Sequence, residues 1–325
     1  MKLKDLAWTF VGLAAVAFSV WLLYHELRSI SVDDVLAGLA AITPHQWLLA
    51  VLSTLLAYAA LAGYDRLALH HLGRKLPFAF IALASFTTYA LAHNIGASVM
   101  SGAVVRYRAY RSKGLDRGEV AVLIGFCSFT FALGVVLLGG LVLLARPHLA
   151  GVFFDWISPN ASRAAGILML GFVALYVFGS WRNLAPLRLG KFHVAYPRLP
   201  IALRQLVIGP LELIGAAGII YFALPEAGNP GFVAVLGIFL ASFSVALLSH
   251  APGGLGVLEV VFLLGMPQAN PADVMAALLV FRLLYLIVPF ALSLIVVVGF
   301  ERAKFIEARR RPPGMAARGG DGGGD

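Results

Sequence analysis

The sequence predicts an all-α, polytopic membrane protein of about eight spans, two of them broken or re-entrant. Apolar residues make up 60% of the 325 residues, charged residues make up only 13%, and the mean hydropathy is +0.88. A soluble domain carries about 25% charged residues, so lipid must solvate most of this surface. Apolar runs of about 20 residues recur, each long enough to cross about 30 Å of hydrocarbon. Such runs must be helical, because the lipid interior cannot form hydrogen bonds with backbone N–H and C=O groups that the protein leaves unpaired.

The apolar runs divide the chain into one membrane domain, 1–305, and a basic, Gly-rich tail, 306–325, that we expect to be disordered and cytoplasmic. The first run reads as a retained helix rather than a cleaved signal peptide, because we find no convincing small-residue cleavage site after it. The long runs lie at 6–24, 46–64, 78–99, 118–145, 164–181, 201–224, 232–249 and 274–300, with a shorter one at 255–266.

The basic residues indicate the orientation of the chain. The formal charge is +9, but Lys and Arg cluster in short loops between apolar runs, as in cytoplasmic loops of membrane proteins. We therefore expect no nucleic-acid partner. If the basic connections face the cytoplasm, both termini are cytoplasmic as well. We therefore expect a multi-pass protein of a bacterial-type inner (plasma) membrane.

This orientation requires two segments, 78–100 and 232–266, to enter the membrane and return to the same side. Both contain helix-breaking residues. The first break reads His93-Asn94-Ile95-Gly96, followed by Gly102, and the second reads His250-Ala251-Pro252-Gly253-Gly254.

The two broken segments also resemble each other. Residues 84–96 and 241–253 are identical at six of thirteen positions, including a Ser-Phe pair, the His and the Gly. By the charge count one copy enters from inside and the other from outside. Broken helices at matching positions of an inverted repeat point to a transporter's substrate site; the alternative is a chance match between apolar helices.

Three charges fall within apolar runs: Glu212, Glu259 and Arg282. Each costs about 2.5–3.5 kcal/mol at the bilayer centre, so each needs a partner or an aqueous cavity. We expect Arg282 to pair with Glu259, beside the second break. Such residues usually mark function, although a pair that only sets helix register is the alternative.

Further polar residues are candidates for headgroup binding. Arg106, Arg108 and Arg111 follow the first break. Arg106 and Arg108 face different ways on a helix, whereas Arg108 and Arg111 share a face. With Tyr107 and Tyr110 interleaved, they suggest a phosphate-headgroup patch at the cytoplasmic interface, or an ordinary topology signal. His93 and His250 occupy equivalent positions and could donate to a headgroup or carry protons. Asp65 is interpreted as an interface anchor, with a gate as the alternative.

No soluble catalytic motif is present. The sequence lacks a Gly-x4-Gly-Lys-Ser/Thr phosphate loop, a His-Glu-x-x-His pair and a Gly-x-Ser-x-Gly elbow. The single cysteine, Cys127, excludes an intramolecular disulfide and a multi-cysteine metal site. We expect neither a metal nor another cofactor.

Two motif blocks resemble a known family. They are Gly63-Tyr64-Asp65 through Arg106-Tyr107-Arg108-Ala109-Tyr110, and Pro252-Gly253-Gly254-Leu255-Gly256-Val257-Leu258-Glu259 with Phe281-Arg282-Leu283-Leu284-Tyr285. They are similar to the N-terminal membrane region of bifunctional lysylphosphatidylglycerol synthases, the multiple peptide resistance factor group. The resemblance spans roughly 1–305. Ser101-Gly102 stands where many relatives read Gly-Gly.

The resemblance implies a flippase-like protein rather than a synthase. In that group the membrane region is thought to flip aminoacylated phospholipids, while a separate cytoplasmic domain attaches the amino acid. Our hypothesis is a lipid translocase for anionic or aminoacylated phospholipid. It would bind substrate through Arg106, Tyr107, Arg108, His93, Asn94, His250, Glu259 and Arg282, with Asp65 and Glu212 as secondary sites. The alternatives are an embedded enzyme acting on a lipid-linked substrate and a scaffold for a separate lipid-modifying enzyme.

Overall fold

The computed structural model describes residues 32–95, 98–182, 187–189, 192–194, 197–249, 254 and 256–310. The predicted span at 6–24 lies outside these residues. The helices are α1 (Val32–Ala41), α2 (Pro44–His71), α3 (Phe78–Ile95), α4 (Ser98–Arg111), α5 (Arg117–Ala145), α6 (Leu149–Phe153), α7 (Pro159–Trp181), α8 (Leu199–Ala223), α9 (Phe232–Ser249), α10 (Val257–Gly265), α11 (Pro271–Phe281) and α12 (Val288–Arg310).

The molecule is a polytopic helical membrane protein, as predicted. Five helical stretches of the described chain are long and apolar enough to cross a bilayer: Pro44–His71, Arg117–Ala145, Pro159–Trp181, Leu199–Ala223 and Pro271–Gly299. Their outer faces carry large apolar side chains. Leu168 is 73% exposed and Ile295 is 69% exposed, which suits contact with lipid rather than water.

Local sequence explains where the long helices begin. Thr43 caps α2 by accepting a hydrogen bond from the Gln46 N–H while the Gln46 side chain accepts from the Thr43 N–H. Asp116 and Glu119 form the same reciprocal cap at the start of α5. Each cap satisfies two backbone donors that a helix start leaves open.

The end of α2 and the start of α5 lie at one end of the bundle, which we call the basic end. Arg74, just after α2, pairs with Glu119 of α5 at 2.7 and 3.0 Å. Because successive long helices run in opposite directions, α5 ends and α7 begins at the other end, which we call the far end.

The first broken segment is a helical hairpin that enters from the basic end and returns there, as predicted. Phe80, near the start of α3, contacts Tyr110 at the end of α4, with ring centroids 5.9 Å apart. Lys113, just after α4, lies 5.0 Å above the same Phe80 ring. The two ends of the hairpin therefore meet.

The second broken segment is a hairpin that enters from the far end. A Cβ added to Gly265, where α10 ends, would lie 2.9 Å from the side chain of Ile238 in the first half of α9. One at Gly237 would lie 2.7 Å from Val142, near the end of α5. The hairpins α3–α4 and α9–α10 thus enter from opposite ends; a repeat relationship between them stays a prediction.

The breaks themselves are described only in part. Gly96, His250, Pro252 and Gly253 lie outside the described residues. Gly254 has φ +64°, a left-handed conformation that favours glycine, which agrees with the predicted irregular backbone. The predicted break at Gly102 is wrong, because Gly102 lies inside α4.

Sequence reasoning missed several elements. These are α1, α6 and a π-helical turn at Arg282–Ile287. A small hairpin of β1 (Leu187–Leu189) and β2 (Phe192–Val194) adds two antiparallel strands to a fold predicted as all-α. Helix α12 continues to Arg310, five residues into the tail predicted as disordered, and residues 311–325 lie outside the described ones.

Glycines allow the central helices to pack backbone against backbone. A Cβ on Gly134 of α5 would lie 2.7 Å from the backbone of Gly209 in α8. One on Gly215 of α8 would lie 2.8 Å from the backbone of Ala57 in α2. Such close approach is the usual basis of helix association in lipid, and it holds α2, α5 and α8 together around the site described below.

We predict that Gly134→Ala destabilises the protein, because the added methyl group meets rigid backbone, and overpacking costs about 1–3 kcal/mol. The matched control is Gly125→Ala in the same helix, where a Cβ has no neighbour within 4 Å. Thermal unfolding in detergent, followed by tryptophan fluorescence, should show a lower midpoint for Gly134→Ala alone. Equal midpoints for the two variants would contradict this packing.

Candidate functional site

The π-helical turn between α11 and α12 connects three parts of the bundle. Here the Val288 N–H donates to the Leu283 carbonyl, one residue further back than in an α-helix. Pro289 then provides no N–H. The Tyr285 carbonyl instead accepts from the Tyr58 hydroxyl at 2.9 Å.

The next carbonyl in the turn, Leu286, is bonded in a similar way. It accepts from the Asn94 side-chain amide at 3.1 Å, and that amide also donates to the Ala90 carbonyl at 2.8 Å. Asn94, predicted to bind substrate, thus ties the end of α3 to the turn. π-Helical turns often occur at functional sites, and this one carries Arg282.

Arg282 pairs with Glu259, which confirms the predicted partner. Its Nε donates to Glu259 Oε1 at 2.7 Å. The second carboxylate oxygen accepts from the Gly256 N–H at 2.9 Å, and Gly256 has φ +80°. Both charges are largely buried, so this ion pair lies inside the protein directly beside the second break.

A second buried pair joins Asp65 of α2 to Arg106 of α4. Arg106 Nη2 donates to Asp65 Oδ1 at 2.8 Å, and the Tyr110 hydroxyl donates to Asp65 Oδ2 at 2.7 Å. The Cys127 thiol also contacts Asp65 Oδ1 at 3.3 Å. Asp65 is completely buried and Arg106 is 6% exposed.

This geometry corrects two predictions. Asp65 is not an interface anchor, because its side chain points into the bundle and finds a guanidinium there. The predicted headgroup patch is not formed as a unit, because Tyr110 is buried and bonds to Asp65. Arg108 is exposed, and the Tyr107 hydroxyl accepts from Arg117 at 3.2 Å.

Glu212 of α8 is buried and bonded to tyrosines. It accepts from the Tyr285 hydroxyl at 2.6 Å and lies 3.5 Å from the Tyr64 hydroxyl. Tyr64 also donates to the Gly209 carbonyl at 3.1 Å. Among the residues described, Glu212 forms no ion pair, so phenol hydroxyls replace the charged partner that lipid burial would otherwise demand.

His93 lies between the Asp65–Arg106 pair and the Glu212 cluster. Its ring stacks on Tyr285, with centroids 5.2 Å apart, and lies 5.8 Å from Tyr89. Tyr89 in turn lies under the Arg106 guanidinium, 4.6 Å away. The ring of Phe243, from the second hairpin, packs against the other side of His93 at 6.4 Å.

Asp65, Arg106, Tyr89, His93, Tyr285 and Glu212 contact one another in that order. Arg282, which pairs with Glu259, lies three residues before Tyr285 in the same π-helical turn. We call these eight groups the polar path. Two of its buried nitrogens, His93 Nδ1 and Arg106 Nε, have no hydrogen-bond partner within the described part of the chain. Buried polar atoms are normally bonded, so these two can receive a polar ligand.

Tyrosines in and around the path were not predicted to take these positions. Tyr89 and Tyr285 belong to the path, while Tyr58, Tyr64 and Tyr110 bond to the π-helical turn, to Glu212 and to Asp65. A usable signal was present in their helical spacing from charged or polar residues. Tyr110 follows Arg106 by four residues, and Tyr285 follows Arg282 by three, which places each pair on one helix face. His250 lies outside the described residues.

No set of three His, Cys, Asp or Glu side chains that could hold a metal ion occurs in the described residues. The arrangement is instead that of a helical membrane protein with paired charges in its interior, between two broken helical hairpins.

The chain belongs to the family of the lysylphosphatidylglycerol synthase TM region, whose sequence profile matches residues 10–293. It is 29% identical to an uncharacterized protein of Synechocystis, slr0712, over 96% of this chain and 97% of that one. It is 30% identical to the inner membrane protein YbhN of Escherichia coli, over 78% of this chain and 79% of that protein.

A longer relative is the phosphatidylglycerol lysyltransferase of Staphylococcus haemolyticus. Identity is 28% over 87% of this chain but only 33% of the lysyltransferase. This chain therefore corresponds to about a third of that protein, and the family it matches is defined by the transmembrane region.

We predict strong coupling between Asp65 and Arg106. Asp65→Asn or Arg106→Gln alone leaves one buried charge unpaired, which costs about 3–5 kcal/mol. The double variant has no buried charge, so its loss of stability should be smaller than the sum of the two single losses. Thermal unfolding of the three variants in detergent measures this, and additive losses would show that the pair is not a unit.

Proposed function

We propose that the protein is a lipid translocase of the bacterial inner membrane, which moves a phospholipid headgroup along the polar path between the two leaflets. The observation that carries this proposal is the pair of buried Arg–carboxylate contacts, one at each broken hairpin. Arg106 lies on α4, the returning helix of the first hairpin. Glu259 lies on α10, the returning helix of the second.

Buried ion pairs contribute little stability by themselves, because desolvation offsets their attraction. Each member of such a pair can therefore exchange its partner for a charged group of the substrate. When a pair opens, the guanidinium can bind a lipid phosphate and the carboxylate can bind an ammonium group of the headgroup. For a headgroup that carries both a phosphate and an ammonium group, the number of unpaired charges then stays constant as it enters.

The two unbonded nitrogens support this exchange. Arg106 Nε and His93 Nδ1 lie along the route and can each bond a phosphate oxygen or a headgroup hydroxyl, with His93 Nδ1 acting as donor or acceptor according to its protonation. The Glu212 cluster continues the route toward Arg282. The acyl chains remain outside, against exposed apolar side chains such as Leu168 and Leu175.

The arrangement of the hairpins suits access from two leaflets. One hairpin enters from the basic end and the other from the far end, so each leaflet has a broken segment next to an ion pair. We infer that the hairpins are halves of an inverted repeat and that the basic end, with both termini, faces the cytoplasm. Without a phosphate loop in the sequence, movement is passive or driven by protons or membrane potential.

The names of two relatives support a particular class of lipid substrate. Staphylococcal relatives are named for lysyl transfer to phosphatidylglycerol, so we propose phosphatidylglycerol or its aminoacylated form. The aminoacyl form carries both a phosphate and an ammonium group, which matches the paired charges. A separate lipid-modifying enzyme would then be a functional partner.

We predict that Arg282→Gln slows lipid exchange in proteoliposomes about tenfold or more, because a lost charge-assisted hydrogen bond costs about 1.5–3 kcal/mol. Purified protein is reconstituted with fluorescent phosphatidylglycerol, and exchange is read by quenching of the outer leaflet. The matched control is Arg163→Gln, an exposed arginine at the far end.

Three outcomes are decisive. Slow exchange in Arg282→Gln alone supports the proposal, and equal exchange in both variants removes Arg282 from the mechanism. Exchange by wild type no faster than by empty liposomes contradicts translocation altogether. Mass spectrometry of the extracted lipids tests the enzyme alternative, which predicts a changed headgroup.

A further inference from the structure

A groove of about 770 Å³ lies at the basic end, outside the polar path. One wall is α2, with Arg66 and His70 one helical turn apart; the opposite wall is α8, with Arg204 and Ile208 at the same spacing. The start of α3 closes the third side. We infer that this groove binds the phosphodiester headgroup of an anionic phospholipid.

The charge of the groove is positive. Its lining contains Arg66, Arg74, Lys75 and Arg204 and no Asp or Glu. Arg74 is neutralised by Glu119 through two hydrogen bonds. Arg66 and Arg204 have no carboxylate partner in the described chain, so their charges are available to an anion. A phosphate is the natural complement of such a set.

The apolar part of the lining distinguishes a lipid from a soluble anion. Leu76, Phe78, Ile81 and Ile208 line the groove beneath the cations, and Phe78 is 54% exposed. The Arg66 guanidinium lies 5.4 Å above the Phe78 ring, which holds its charge at the boundary between polar and apolar surface. The phosphate can therefore face the cations while the first acyl carbons lie on apolar side chains.

The size of the groove suits a headgroup. Ligand pockets are typically about 300–1,000 Å³, and this groove of about 770 Å³ falls in that range. Its two long walls approach each other at Gly63, where an added Cβ would lie 2.9 Å from Ile208 of α8.

The groove is connected to the polar path through α2. Arg66 faces the groove, while the adjacent residue, Asp65, faces inward and pairs with Arg106. A headgroup held at Arg66 is thus one helix away from the first ion pair. Its role as a loading site rests on the proposed translocation, whereas binding itself does not.

The test measures binding separately from exchange. Purified full-length protein in detergent is titrated with dioctanoyl-phosphatidylglycerol, dioctanoyl-phosphatidylcholine or glycerol 3-phosphate, with thermophoresis as the readout. The variant is Arg66→Gln/Arg204→Gln. The charge-matched control is Arg163→Gln/Arg182→Gln, two exposed arginines that do not line the groove.

We expect the groove variant to bind phosphatidylglycerol about tenfold more weakly or worse, since each phosphate contact by a cation is a charge-assisted hydrogen bond. The control should match wild type. Wild type should prefer phosphatidylglycerol to phosphatidylcholine and bind glycerol 3-phosphate poorly. Equal affinity of the groove and control variants for phosphatidylglycerol would overturn the inference. If wild-type protein binds glycerol 3-phosphate as tightly as phosphatidylglycerol, the groove is a site for soluble anions and the inference is wrong.

A further variant separates charge from structure. Arg66→Lys/Arg204→Lys keeps both charges and should retain most of the binding; loss equal to that of the Gln variant would indicate a structural effect and refute the electrostatic account. Equal binding by the groove and control variants, with wild-type protein that still exchanges lipid, refutes the groove alone. Groove binding by wild-type protein that exchanges no lipid refutes the proposed translocation alone.

Discussion

The structure depends on the requirement that charges inside a bilayer be paired. Each unpaired charge costs about 2.5–3.5 kcal/mol at the bilayer centre, and removing one member of a buried pair costs more. Here the requirement is met by Asp65 with Arg106 and by Glu259 with Arg282, while tyrosine hydroxyls bond Glu212. These contacts fix one helix of each broken hairpin in the interior, α4 against α2 and α10 against the π-helical turn, and the hairpins themselves meet at His93 and Phe243.

The π-helical turn makes that meeting possible. Pro289 removes a backbone donor, and the carbonyls of Tyr285 and Leu286 are bonded instead by Tyr58 from α2 and Asn94 from α3. Arg282 is thereby held at a turn anchored to the first hairpin while its guanidinium reaches Glu259 in the second. Because the hairpins enter from opposite ends, each side of the membrane gains a broken segment next to an ion pair.

Much of this fold could be predicted from the sequence, because hydropathy and basic loops report directly on helices in lipid. The boundaries 118–145 and 232–249 nearly coincide with α5 and α9, and Arg282 pairs with Glu259 as expected. The inward position of Asp65 was not predicted, since it sits where a span ends by hydropathy and its partner is 41 residues away. The π-helical turn was also missed, because a proline in an apolar run predicts a kink but not which side chains will bond the freed carbonyls.

The central claim is that these charges surround a route for a hydrophilic headgroup rather than merely set helix register. A cryo-EM structure in nanodiscs containing phosphatidylglycerol tests it most directly. The account predicts headgroup density within hydrogen-bonding distance of Arg106 Nε or His93 Nδ1, between the two hairpins. Tight side-chain packing throughout that region, with lipid density only around the outer surface, would contradict it.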